Sequence, residues 1–119
     1  MVYVHTVTNL LLDMFREVGA RVQYVSKKPG HVILSVELGG KRLILWIRAG
    51  GVKRESMSMF NRIVKDMEHD GIILVKCLSE PDNIKLPQDW VVLDISEYES
   101  DNEAARYVME YVMNRIGSD

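Results

Sequence analysis

Lys41-Arg42-Leu43-Ile44-Leu45-Trp46-Ile47-Arg48, directly after Gly39-Gly40, decides the fold. Side chains alternate across a strand, so Leu43, Leu45 and Ile47 face one way and Ile44 and Trp46 the other. A strand apolar on both sides belongs in the middle of a sheet covered on both faces. Gly39-Gly40 is a two-residue turn in which both positions can take positive φ. It folds the strand back on His31 to Leu38, where Val32, Leu34, Val36 and Leu38 share one side and His31, Ile33, Ser35 and Glu37 the other.

Upstream, residues 6–19 have helical spacing, with Leu10, Leu11, Met14, Phe15 and Val18 on one face. Thr6 or Thr8 can cap the start and Gly19 ends it. Residues 21–26 form a short strand, and Lys27-Lys28-Pro29-Gly30 a turn. Downstream, Ala49-Gly50-Gly51 breaks the central strand. A helix over 54–69 carries Met57, Phe60, Ile63, Val64 and Met67, and Gly71 stops it. Ile72 to Leu78 is a buried strand, Glu80 to Asp89 a polar loop, and Trp90 to Ile95 a last strand. Ser100 and Glu103 have capping-box spacing and open a helix running to about Ile116. The expectation is a single domain over residues 1–119, of α/β class, with a central mixed sheet flanked by helices.

Composition narrows the function classes. No apolar stretch reaches the roughly 20 residues that span a bilayer, and Met1-Val2-Tyr3-Val4-His5 does not begin as a secretory signal does. A cytoplasmic protein with no membrane partner is the expectation. The one cysteine, Cys77, excludes an internal disulfide and reads as a small buried hydrophobe. His5, His31 and His69 have no metal-ligand spacing. The glycine pairs lack the Gly-Lys-Ser/Thr of a phosphate loop. The net charge of −2 hides an asymmetry: residues 1–65 hold 11 Lys/Arg and 4 Asp/Glu, residues 66–119 hold 4 and 13. That suggests one basic and one acidic face.

The element order, with Gly51-Val52-Lys53-Arg54-Glu55 leading into a helix, Gly71-Ile72-Ile73-Leu74-Val75-Lys76 after it and Phe15-Arg16-Glu17-Val18-Gly19 closing the first helix, resembles the PD-(D/E)XK nuclease superfamily. Within it, the archaeal Holliday junction resolvases look most similar, over roughly residues 6–95. The resemblance implies a restriction-endonuclease-like core, αβββαβ, extended here by a C-terminal strand and helix. It also implies a dimer, and clustered carboxylates that hold Mg²⁺ and activate water. Carried over residue by residue, the first-helix Glu falls at Thr8, the second-strand Asp at His31 or Ile33, the third-strand Glu at Trp46 and the Lys at Arg48. None of these is an acid, and arginine does not serve as a base near neutral pH. The resemblance therefore implies a degenerate active site with no catalytic residue, no metal and no cofactor.

The expected function is binding without catalysis. DNA is the first candidate ligand, contacted by Lys27, Lys28, Arg48, Lys53 and Arg54, and a protein partner is the second, with a homodimer expected. One rival is a divergent Mg²⁺ nuclease in which Glu37 is a relocated ligand; the other is a protein–protein interaction module.

Overall fold

Over the described residues, 1–117, the computed structural model runs α1 (Val4–Glu17), β1 (Arg21–Lys28), β2 (His31–Leu38), β3 (Lys41–Arg48), α2 (Arg54–Val64), β4 (Gly71–Lys76), β5 (Val91–Asp94) and α3 (Asp101–Ile116). The strands lie side by side in chain order. β1, β2 and β3 are antiparallel neighbours, and β4 and β5 continue parallel to β3. β3 is central, and all of Leu43 to Ile47 is buried, as its two apolar sides require. Gly39 and Gly40 turn the hairpin with φ of 60° and 82°, values that suit glycine, and Leu38 pairs with Lys41 across it.

The alternation along β2 and β3 sorts the core into two layers. Val32, Leu34, Val36, Leu43, Leu45 and Ile47 meet α1 and α3 through Leu11, Phe15, Val108 and Val112. Ile33, Ile44 and Trp46 meet α2 through Phe60 and Val64 on the opposite face. There Trp46 stacks on Phe60, with centroids 4.4 Å apart and planes 16° apart, and Trp90 closes edge-on against both rings. Parallel strands need a crossover, usually a helix. α2 supplies it between β3 and β4. Between β4 and β5 a loop crosses instead, seated on the α2 side by Ile84, Leu86 and Trp90.

Several boundaries differ from the sequence reading. α1 begins at Val4, without a side-chain cap. Thr8 lies inside the helix, and its Oγ1 donates to the Val4 carbonyl at 2.7 Å. Lys27 and Lys28 are strand residues, not turn residues, because a bulge between Tyr24 and Ser26 absorbs Val25 and lets β1 run on. α2 ends at Val64 rather than at residue 69. The chain leaves it so that Asp70 can bind Arg42 twice: its N–H donates to the Arg42 carbonyl at 2.7 Å, and its Oδ2 accepts the Arg42 N–H at 2.8 Å. Ser100 caps α3 as its spacing predicts, Oγ accepting the Glu103 N–H at 3.0 Å.

α2 buries only Phe60 and Val64 along its length. Phe60→Ala should therefore destabilise the fold by about 3–5 kcal/mol, read from urea unfolding followed by tryptophan fluorescence. A loss below about 1 kcal/mol would show that α2 does not depend on the stack.

Candidate functional site

In open α/β sheets, ligands sit beyond the carboxyl ends of parallel strands. Here that end gathers the Ala49–Lys53 loop after β3, the crossover after β4 and the β1–β2 turn, since β1 runs in the direction of β3. Direct cross-strand pairing aligns Lys28, His31, Arg48, Lys76 and Asp94 in one row across all five strands. Paired residues point to the same side of a sheet, so the row shares the α2 side with Trp46.

The middle of this row is tied into the protein. The Arg48 guanidinium lies 4.9 Å from the centroid of the Trp46 ring. Its Nη2 donates to the Gly51 carbonyl at 2.8 Å and its Nε to the Gly50 carbonyl at 3.3 Å. Burial lowers its pKa from the ordinary value, opposed by the carboxylates of Asp82 and Glu80. Lys76 is buried; its Nζ donates to the Glu80 carbonyl and lies 3.4 Å from Asp82 Oδ1. Asp82 Oδ1 also accepts the Val52 N–H at 2.7 Å, and Glu80 Oε1 accepts the Gly51 N–H at 3.2 Å. Asn83 N–H donates to the Val52 carbonyl at 3.0 Å. The two loops are thus clasped together, closely enough that a Cβ on Gly51 would stand 2.2 Å from the Pro81 carbonyl oxygen.

All five residues expected to contact phosphate lie at this end of the sheet. Lys27, Lys28, Lys53 and Arg54 are exposed, whereas Arg48 is half-buried and donates from Nε and Nη2 to its own loop. Lys27 pairs with Val32 and so projects to the α1 side, its Nζ 5.3 Å from the Tyr24 ring centroid. Of the positions matched to nuclease ligands, Ile33 pairs with Trp46 and His31 with Arg48. Thr8 sits in α1, across the sheet from them. Glu37 lies at the far end of β2 and makes an ion pair with Arg42 at 2.9 Å. Mg²⁺ takes carboxylate and water oxygens. An imidazole, an isoleucine, a stacked indole and a guanidinium do not fit it. Among the described residues no group of three or more His, Cys, Asp or Glu could hold a metal ion.

The sequence reading missed Lys76, Glu80 and Asp82. Their partners are 29 and 30 residues away along the chain for the two carboxylates, and no local pattern announces such pairings. The one signal was Gly51, a residue required where another backbone comes close. Cys77 is buried, as expected, and burial pushes its thiol pKa up to about 12. No helix of the described residues is long and apolar enough to cross a membrane. Compared with known proteins, the chain matches no family model and no curated protein sequence.

His31 is 8% exposed, with Nδ1 buried and without a hydrogen-bond partner. Burial, then the charges of Arg48 and Lys28, lower its pKa from 6.5. Below 6.5 the unfolded chain binds a proton that the folded protein resists. Stability should therefore fall as pH drops from 6.5 towards the folded-state value, and rise on the return. Denaturation of the native protein and of His31→Gln across this range checks it. The variant should lose that part of the pH dependence, and an unchanged profile would assign it to other groups.

Proposed function

We propose that this chain is a catalytically inactive, nuclease-like protein that binds nucleic acid, with the restriction-endonuclease-like core that its resemblance to the Holliday junction resolvases implies. The observation that carries the reading is the exchange of charge at the carboxyl end of the sheet. Where the family's chemistry needs carboxylates, this chain has Trp46 buried in an aromatic stack and exposed Lys28, Lys53 and Arg54 around it. Cations of this kind bind phosphate and release counterions, which gives sequence-independent affinity. The strand order also supports the core: a β1–β2–β3 antiparallel unit, a helical crossover and a parallel β4, with β5 and α3 as additions. On this reading no Mg²⁺ is required.

A partner protein, including a second copy of the chain, is the second reading. The groove between α1 and α3 favours it, with Leu10, Met14 and Met109 partly exposed and Val18 44% exposed. The divergent-nuclease reading has less support, because Glu37 already neutralises Arg42.

A salt-series titration against a labelled four-way junction and a matched linear duplex tests the proposal. Binding should weaken steeply with salt, and preference for the junction would tie the function to resolvase ancestry. In the Lys53→Ala/Arg54→Ala variant affinity should fall, and the slope of log K against log salt should become shallower by about 2. An unchanged slope would remove both residues from the interface, and absence of binding at low salt would remove the nucleic acid. Cleavage of either DNA with added Mg²⁺, abolished by Glu37→Gln, would reinstate the nuclease.

A further inference from the structure

Beside the cationic hairpin lies an apolar trough that phosphate binding does not use. Two adjoining depressions, of about 580 and 280 Å³, share His5 and Gly30. The larger carries Lys27, Lys28 and Pro29. The smaller is walled by Met1, Tyr3 and Leu78 over the buried Cys77. Met1 is 74% exposed, Tyr3 57% and Leu78 39%. Scattered apolar side chains on a surface need no explanation; here three exposed ones adjoin one another and open onto two lysines. No carboxylate lines either depression. Asp101, close by, is turned onto the Tyr3 backbone and accepts its N–H at 3.0 Å. A second exposed ring, Tyr24, lies under the Lys27 ammonium on the same side of β1, where the bulge at Val25 puts both.

Exposed aromatic faces next to cations fit one nucleic-acid chemistry best. A duplex hides its base faces in the stack and offers phosphates. A single strand offers both phosphates and unstacked bases, and base–aromatic stacking contributes about 1–3 kcal/mol per base whatever the sequence. An acidic, partly apolar peptide would satisfy the charges but stacks on tyrosine only where it happens to carry a suitable side chain, whereas every base has a π-face.

We infer that the trough takes unpaired bases of a single-stranded nucleic-acid segment, stacked on Tyr3, with the adjacent phosphates on Lys27 and Lys28. This rests on the nucleic-acid reading above and gives it a substrate class: strands with frayed, looped or single-stranded portions. Tyr3 acts through its ring, because its N–H is already committed to Asp101. The side chain can therefore change while the backbone contact stays.

The test is fluorescence-anisotropy binding of a labelled oligo-dT of about twelve nucleotides, a strand of the same length made of abasic sites, and a duplex of that length. The abasic strand keeps the phosphates and removes the bases. Oligo-dT should bind about tenfold more tightly than the abasic strand. Tyr3→Ala should erase that difference and Tyr3→Phe keep it, while Lys28→Ala weakens both strands alike. Equal affinity for oligo-dT and abasic strand would overturn the inference and leave the phosphate-binding reading intact. Tighter binding of the duplex would do the same. No binding of any of the three at low salt would overturn both, leaving an acidic peptide as the better occupant.

Discussion

The packing of Trp46, Phe60 and Trp90 is the contact on which one whole side of this protein depends. α2 reaches the sheet through two buried residues, and the larger of them lies flat on Trp46. The chain between β4 and β5 must cross the same face without a helix, and Trp90 anchors its end by standing edge-on to both rings. Aromatic rings contribute large buried areas and favour such offset and T-shaped contacts. The same indole, on the proposed reading, occupies the position at which a metal-dependent nuclease would need an acid. On the proposed reading, the residue that ended metal chemistry is also the one that seats the second layer of the core. On that reading, a return to catalysis would require the stack to be rebuilt, not a single substitution.

The charges at the carboxyl end divide into those spent inside and those presented to solvent. Arg48 donates from Nε and Nη2 to the Gly50 and Gly51 carbonyls, and Lys76 is held by the Glu80 carbonyl and Asp82. A buried cation such as Lys76 is tolerable when paired and hydrogen-bonded in this way. The lysines at the hairpin, with Lys53 and Arg54, remain exposed. The row across the sheet carries cations on β1, β3 and β4 and an acid only on β5. The row starts at Lys28 on one edge strand and ends at Asp94 on the other. An acidic protein can in this way carry a locally cationic corner.

Most of the architecture could be read from the sequence because it is written in short-range patterns. The Gly39-Gly40 hairpin, the two-sided β3 and the Ser100 cap each depend on residues within a few positions of one another. What failed was set by contacts distant in sequence or by a bulge that leaves no local pattern. Met67 keeps helical spacing with Ile63, yet α2 stops at Val64 because Asp70 is held by Arg42, 28 residues earlier. Lys27 and Lys28 beside Pro29-Gly30 look like turn residues until the bulge is known. Arg48 was legible as a cation, but the direction of its donors was not. That direction depends on Gly50 and Gly51 curling back beneath it. The clasp through Glu80 and Asp82 left only a glycine as its trace.

The bulge at Val25 also affects how such a surface can change over time. Strand side chains alternate, so adding or removing one residue reverses every position beyond it. Upstream of the bulge, Val22 and Tyr24 are paired with Val36 and Leu34, and Val22 is held in the core. Downstream, the strand ends within a few residues at a solvent-exposed tip. The bulge is the exception: Ser26, Lys27 and Lys28 already pair with Ile33, Val32 and His31, so loss of the Val25 codon would close the ladder with these pairs, and the faces of both lysines, unchanged. The bulge works as an expansion joint for heredity: one residue can come or go there without turning the outer charges over or disturbing the interior.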